Sequence, residues 1–499
     1  MPDPGGPPLS SKRDRPRFPT TPLRVLHVAM ELAPWAQVGD VGGWLDGLTR
    51  AQQAAGDRVT VVLPEHGIGT WHRAHVQKVV GSQAQLRLGD RLIDFSLARL
   101  KVDQRELILV RSELFERGGI YANPDTMELY EDTLLRASVL CHAALYWALN
   151  AGGRWQVIHG HDHHGALACA LLRRRFQPTP LQHARSVLTV HDASFWGLHD
   201  LDEVPLSGLP PGEAQPGGPF ACAGMFSALR AGLALADGIH LVAPGQAEEV
   251  LRTHGVAGPM TADFQRRQED SFSLPGGIDP TVDPSTDPLI ASAFSAKEPG
   301  GRADCRDDLL GLTGLPDTVD GTPAVLAVYS GPLLPEKGLD LLLDALPHCP
   351  DHLVVAVAGD GDPDVMQAFA AAAKAHPERV WFRHTSEAET LAQLLAGGDL
   401  FVLPGRHAPG DLRVLHALRY GALPVTSEQG GPASLLPPGH GFPYPGDPED
   451  PASLVEALTA AVAAVADEGH GQRVSAALRH GVSWASVAAR LRKDAYLQS

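Results

Sequence analysis

Val25-Leu26-His27-Val28-Ala29-Met30, followed two residues later by Ala33-Pro34-Trp35-Ala36-Gln37-Val38-Gly39-Asp40-Val41-Gly42-Gly43, is the stretch on which the fold turns. The first run is apolar and Val-rich, the pattern of a buried strand. The second is rich in glycine and opens onto a helical pattern near residues 43–55. A strand feeding a Gly-rich turn and then a helix is how α/β proteins bring backbone N–H groups up to phosphates and sugars.

The same rhythm spreads outward from that stretch. Val59-Thr60-Val61-Val62-Leu63, Leu107-Ile108-Leu109-Val110, Gln156-Val157-Ile158-His159, Ser186-Val187-Leu188-Thr189-Val190 and Gly238-Ile239-His240-Leu241-Val242 read as further strands, with a long helix near 131–150. Residues 201–219 are dense in Pro and Gly and predict a loop or lid. A passage without periodicity runs to residue 301, after which strand candidates at 324–330, 353–359, 380–384, 400–404 and 423–426 alternate with helices. Alternating β and α patterns predict parallel sheets covered on both faces. The expected fold class is therefore α/β, with two doubly wound, Rossmann-like domains facing a cleft: residues 1–22 a disordered tail, 23–250 the first domain, 251–480 the second, and 481–499 a helix packing back on the first.

Length and composition agree with this division. A chain of 499 residues exceeds what one hydrophobic core sustains, and 44% apolar residues fill two. Lys and Arg number 41 against 58 Asp and Glu, a formal charge of −17 that disfavours nucleic acid and anionic membrane as partners. Five scattered cysteines without C-x-x-C spacing predict neither a disulfide framework nor structural zinc, and a reducing cytoplasm is the simplest compartment. The N-terminal tail lacks the apolar segment of a signal peptide, and no run approaches the ~18 apolar residues of a membrane span.

Seven segments, in order, then carry a family resemblance: Glu113-Leu114-Phe115-Glu116-Arg117-Gly118-Gly119-Ile120-Tyr121, Ile158-His159-Gly160-His161-Asp162-His163-His164, Leu188-Thr189-Val190-His191-Asp192, Gly276-Gly277-Ile278-Asp279-Pro280, Asp283-Pro284-Ser285-Thr286-Asp287-Pro288, Pro335-Glu336-Lys337-Gly338-Leu339-Asp340 and Ala417-Leu418-Arg419-Tyr420-Gly421. Together they resemble the bacterial glycogen synthases and plant starch synthases across most of the chain. The resemblance implies two domains of the GT-B type and transfer of glucose from ADP-glucose, or another nucleotide sugar, to an α-1,4-glucan with retention. It implies no metal and no cofactor beyond the nucleotide-sugar co-substrate. A departing nucleotide diphosphate demands positive charge where negative charge grows.

Residue by residue, the resemblance carries over unevenly. Lys337 matches the phosphate-gripping Lys and is placed at the start of the helix after the strand ending at Ser330, although a solvated Lys is common in a first turn. His191 matches the His beside the reacting sugar; the plain alternative is a hydrogen-bonded histidine at a strand end. Arg406 survives from the Pro-Ser-Arg-x-Glu-Pro-Cys-Gly-Leu segment, and these three are the catalytic candidates. Gln37, Gly39, His161, Asp162, Gly430 and Gly431 are the donor- and substrate-binding candidates. Four positions depart from the family pattern: Gln37 replaces a Lys, Asp40 a Gly, Pro332 falls where an Arg belongs, and Ala408 replaces a Glu. Asp192 stands for Asn and Asp411 for Gly. If additive, losing a Lys, an Arg and a Glu at ~1.5–3 kcal/mol each would cost roughly three to six orders of magnitude in rate.

The run His159-x-His161-Asp162-His163-His164 has metal-like spacing, but the βα rhythm and the synthase-like pattern account for it without metal. Two functional expectations follow: an active glucosyltransferase with a rebuilt donor site, or a relative that binds glucan or nucleotide sugar without turnover.

Overall fold

The computed structural model describes residues 21–68, 76–126, 128–252, 255–429, 431–445 and 450–497, and contains two parallel-sheet units. All but the last two residues of the predicted tail, and Gly430 among the candidate residues, lie outside the described residues.

The first sheet is formed by β1 (Arg24–Val28), β2 (Arg58–Pro64), β3 (Gln77–Lys78), β4 (Ala84–Leu88), β5 (Arg91–Val102), β6 (Arg105–Arg111), β7 (Val157–His161), β8 (Arg185–Val190), β9 (Gly238–Leu241) and β10 (Ser271–Ser273). Its order is β10-β9-β8-β7-β1-β2-β6-β5-β3, with β4 pairing on β5. Strands from β10 to β6 run parallel, and β1, β2 and β6 are rich in Val, Ile and Leu where helices α1 (Asp40–Ala54), α2 (Thr133–Asn150) and α3 (Asp162–Arg174) cover the sheet. Winding reverses between β1 and β7, so the loops after Val28 and His161 lie side by side. The antiparallel β4–β5–β6 meander was not anticipated; its alternating burial marks a sheet edge with one wet face.

The second sheet comprises β11 (Val325–Ser330), β12 (Leu353–Gly359), β13 (Val380–His384), β14 (Leu400–Leu403), β15 (Leu423–Ser427) and β16 (Phe442–Tyr444), all parallel, in the order β13-β12-β11-β14-β15-β16. That is the dinucleotide-fold order, whose ligand crevice opens at the carboxyl ends of the two strands flanking the reversal, here β11 and β14. Helix α4 (Arg413–Tyr420) follows β14 and buries Val414, Leu415, Ala417 and Leu418 against the sheet.

Two expected boundaries shift. The first sheet ends at Ser273, not at 250: β10 pairs with β9, and Met260 and Phe264 pack beneath it. The expected loop at 201–219 is tightened by short helical turns at Leu201–Glu203, Val204–Ser207 and Pro211–Ala214.

At the other end, α5 (Trp484–Leu491) lies on α1. Trp484 packs so closely that a Cβ on Gly47 would come within 2.2 Å of its ring, and it meets Trp44 edge-on at 5.6 Å between centroids. Beyond α5, Arg492 pairs with Asp57 and Tyr496 accepts from Gln52 Nε2 at 3.0 Å. The C-terminal segment is thus a strap, leaving the second unit and closing on the first.

Candidate active site

The carboxyl ends of both sheets face one another across a cavity of about 390 Å³. From the first unit it is lined by Glu31, Gly39, Asp40, Asp162 and His191, and from the second by Pro332, Lys337, His407 and Ala408. Both reversal points therefore open on one space, as the topology requires.

On the first side, backbone N–H groups that could meet a ligand are already taken by carboxylates. Val38 and Gly39 donate to Glu31 Oε2 at 2.8 and 3.2 Å, and Tyr121 OH donates to Glu31 Oε1 at 2.8 Å. Burial raises Glu31 above its ordinary range against the pull of these bonds. His191 and Asp192 N–H groups donate to Asp162 Oδ1 at 2.7 and 3.3 Å. Burial pushes Asp162 up to about 8, so the protonated acid is favoured near neutral pH. Asp162 also sits at φ +52°, a conformation that L-residues seldom adopt and that places its carboxyl across the sheet end. Gln37 is turned aside: its Nε2 donates to Gly39 O at 3.1 Å and its side chain does not line the cavity.

On the second side, Lys337 does line the cavity, but it closes a 3₁₀ turn (Pro335–Lys337) instead of opening the helix, which starts at Leu339. Its Nζ lies 3.2 Å from Asp411 Oδ2 and 3.9 Å from Asp40 Oδ2. Asp411 is fully buried; burial alone would raise it, yet Arg413 and then Lys337 hold it well below the usual carboxylate range. Asp40 keeps 48% of its side chain accessible, and desolvation followed by the charge of Asp411 raises it. Two cations thus meet two carboxylates, and the cluster presents little net charge to an incoming diphosphate. The residues supplying those carboxylates stand where the resemblance places glycines.

Arg406 is drawn away from the cavity. Its guanidinium grips Asp340 in a fork at 2.6 and 2.7 Å and donates to Pro335 O, a structural clamp within the second unit. Ala408 and Pro332 line the cavity and supply no charge. Gly431, at φ +104°, fits between the units, where a Cβ would lie 3.3 Å from both Ala243 and Pro409, and it does not line the cavity.

A cross-cleft pair that no sequence signal announced joins the halves: His407 Nε2 lies 2.7 Å from Asp192 Oδ1. Burial works against the imidazolium, but the hydrogen bond and charge of Asp192 raise His407 above its ordinary value, while His407 holds Asp192 low against its own burial. Glu31 was likewise passed over, although an acid directly after an apolar strand run is a readable sign of a carboxyl-end loop.

The histidine run is split by the turn at Asp162. His163 and His164 line the cavity, whereas His161 faces inward with His159 and His27 beneath the cavity floor and does not line it. Ligand atoms of His27, His159 and His161 come within 4.8 Å of one another, but every ring nitrogen of the three already has a hydrogen-bond partner. All five cysteines are buried free thiols, and no helix among the described residues is long and apolar enough to cross a membrane.

Two parallel α/β units closing on one cleft, with Lys337 at the reversal of the second, form the GT-B arrangement. Comparison with known proteins narrows the class. Residues 24–262 match the starch synthase catalytic domain model, and residues 324–464 match glycosyl transferases group 1. The glycogen synthase of Anaeromyxobacter dehalogenans is 33% identical over 428 residues, covering 84% of this chain and 87% of that protein. That of Alkalilimnicola ehrlichii is 31% identical over 489 residues, covering 94% of each. In structure, the catalytic domain of starch synthase IV from Arabidopsis thaliana, bound to ADP and acarbose, superposes with a TM-score of 0.83 at 22% identity over 95% of this chain and 99% of that one. Sucrose-phosphate synthase from Thermosynechococcus elongatus does so with a TM-score of 0.59 at 17% identity, over 94% and 98%. The chain belongs to the glycogen and starch synthase family of glucosyltransferases.

Proposed function

We propose that the donor is a nucleoside diphosphate glucose, ADP-glucose in the first instance, and that the acceptor is the non-reducing end of an α-1,4-glucan. The observation that carries this reading is Lys337, a buried ammonium at the carboxyl end of β11 facing His191 and Asp162 across the cavity. In the transfer the bond from glucose C1 to the diphosphate oxygen breaks, a bond from C1 to the acceptor hydroxyl oxygen forms, and the hydroxyl proton passes to the leaving diphosphate. Lys337 is the cation placed to meet that charge. The ADP in the Arabidopsis structure supports the choice of nucleotide.

Asp40 and Asp411 oppose this role. Lys337 must share itself between them and the diphosphate, so the site binds its donor weakly relative to one with glycines at both positions. The test is incorporation of radiolabelled glucose from ADP-glucose, and separately from UDP-glucose, into glycogen. Incorporation from either donor well above a Lys337→Ala control supports the reading. Incorporation from neither overturns it and leaves a protein that keeps the clamshell without turnover.

A further inference from the structure

Beneath the cavity floor runs a chain of hydrogen bonds whose direction is fixed by one backbone carbonyl. Leu274 O can only accept, and His240 Nε2 lies 3.0 Å from it, so this nitrogen carries the hydrogen. Burial holds His240, His159, His27, His161 and His191 below the ordinary histidine value, so each ring is neutral with one N–H and one lone pair.

The rest follows link by link. His240 Nδ1 accepts from Thr189 Oγ1 at 3.0 Å, and Thr189 accepts from His159 Nε2 at 2.6 Å. His159 Nδ1 accepts from Tyr496 OH at 2.8 Å, and the Tyr496 oxygen accepts from Gln52 Nε2 at 3.0 Å. Gln52 therefore turns Oε1 toward His27, whose Nε2 donates at 2.9 Å. His27 Nδ1 accepts from His161 Nε2 at 3.1 Å, and His161 Nδ1 accepts from His191 Nε2 at 3.1 Å. Reversing any link would set two acceptors or two hydrogens face to face somewhere along the chain. His191 thus reaches the cavity with its hydrogen on Nε2. Its Nδ1 lone pair has no partner among the described residues.

We propose that this relay, with Thr189 and Tyr496 as its hydroxyl joints, is a positioning device that fixes the tautomer of His191 so that the ring accepts a hydrogen bond from a sugar hydroxyl in the cleft. Thr189 and Tyr496 are positioning residues: both act through His191, and Tyr496 ties the C-terminal strap to the cavity. The kinetic consequence rests on a glycosyl donor occupying this cleft; the tautomer does not.

The test uses full-length protein labelled with ¹⁵N-histidine, the His191 signals being identified by their loss in His191→Gln. Long-range ring couplings should show hydrogen on Nε2 in the parent protein. Thr189→Val keeps shape and cuts the chain: it should give a mixture of His191 tautomers and lower kcat/KM about tenfold, the scale of one neutral hydrogen bond. Thr189→Ser should restore both. Should Thr189→Val fail to fold, Tyr496→Phe interrupts the same chain at its other joint and is read in the same way. Hydrogen on Nδ1 in the parent, or a cut chain with the parental tautomer and parental kcat/KM, overturns the proposal. If the parent transfers no glucose, the donor reading of the preceding section fails, and the coupling measurement decides the relay alone.

Discussion

Lys337 and Asp40 set the electrostatics of the donor site between them. Each unit of charge near a partly desolvated ammonium changes anion affinity by an order of magnitude or more. Asp40 is the gentler residue to remove, because 48% of its side chain is accessible and it opens α1 without capping it, whereas deleting the buried Asp411 would strand Arg413 and Lys337. Asp40→Gly should therefore lower KM for the nucleotide sugar about tenfold, ~1.4 kcal/mol, with little change in kcat; steady-state kinetics with glycogen in excess checks it. Gln37→Lys should leave the same constants within about twofold. The sequence marks Gln37 as the site's first loss, but its side chain points to Gly39 O and away from the cavity.

At the scale of elements, the loop after β14 and the loop after β8 are joined by His407 and Asp192. The pair needs imidazolium and carboxylate together. Because His407 is raised above its ordinary value, the pair is complete below pH ~6.5 and is lost as pH rises through the raised value. Small-angle scattering should show the radius of gyration increasing above neutrality as the cleft opens, and His407→Gln should sit at the larger value with no dependence on pH between 6.5 and 9. A parent profile flat over that range would show that the pair does not hold the units together. The strands behind these loops were legible in the sequence: 186–190 and 400–404 fall within one residue of the observed bounds of β8 and β14, since buried parallel strands write themselves as nearly unbroken apolar runs. The β4–β5–β6 meander was not, because a half-wet edge alternates weakly. Lys337, His191, Asp162, Gly39, Pro332 and Ala408 were legible as cavity residues. Arg406, His161 and Gly431 do not line the cavity, because a spacing motif says which residues are present and not which way a side chain turns once Asp340, His27 or Ala243 lies beside it.

For the whole molecule, the neutral histidines are a liability in acid. His27, His66, His142, His163 and His240 are each lowered by burial to about 4, and His191 to about 3, while the unfolded chain takes up protons near 6.5. The unfolded state then binds more protons, so the histidine contribution to stability is full above pH 6.5 and falls as pH drops toward 4. Each such ring costs about 1 kcal/mol by pH 5.5, and the urea midpoint should fall steadily through pH 7.5, 6.5 and 5.5. The same burial builds the cleft: two sheets wound in opposite directions from their central strands, a strap of C-terminal residues, and one ammonium facing the sugar side. The function proposed for this arrangement is glucose transfer. Parent protein and Lys337→Ala, each given labelled ADP-glucose and glycogen at pH 7.5, test it directly. Label entering glucan at a rate at least a hundredfold above the variant, ~2.7 kcal/mol of lost transition-state stabilisation, is the predicted result. Equal incorporation by the two proteins would contradict it.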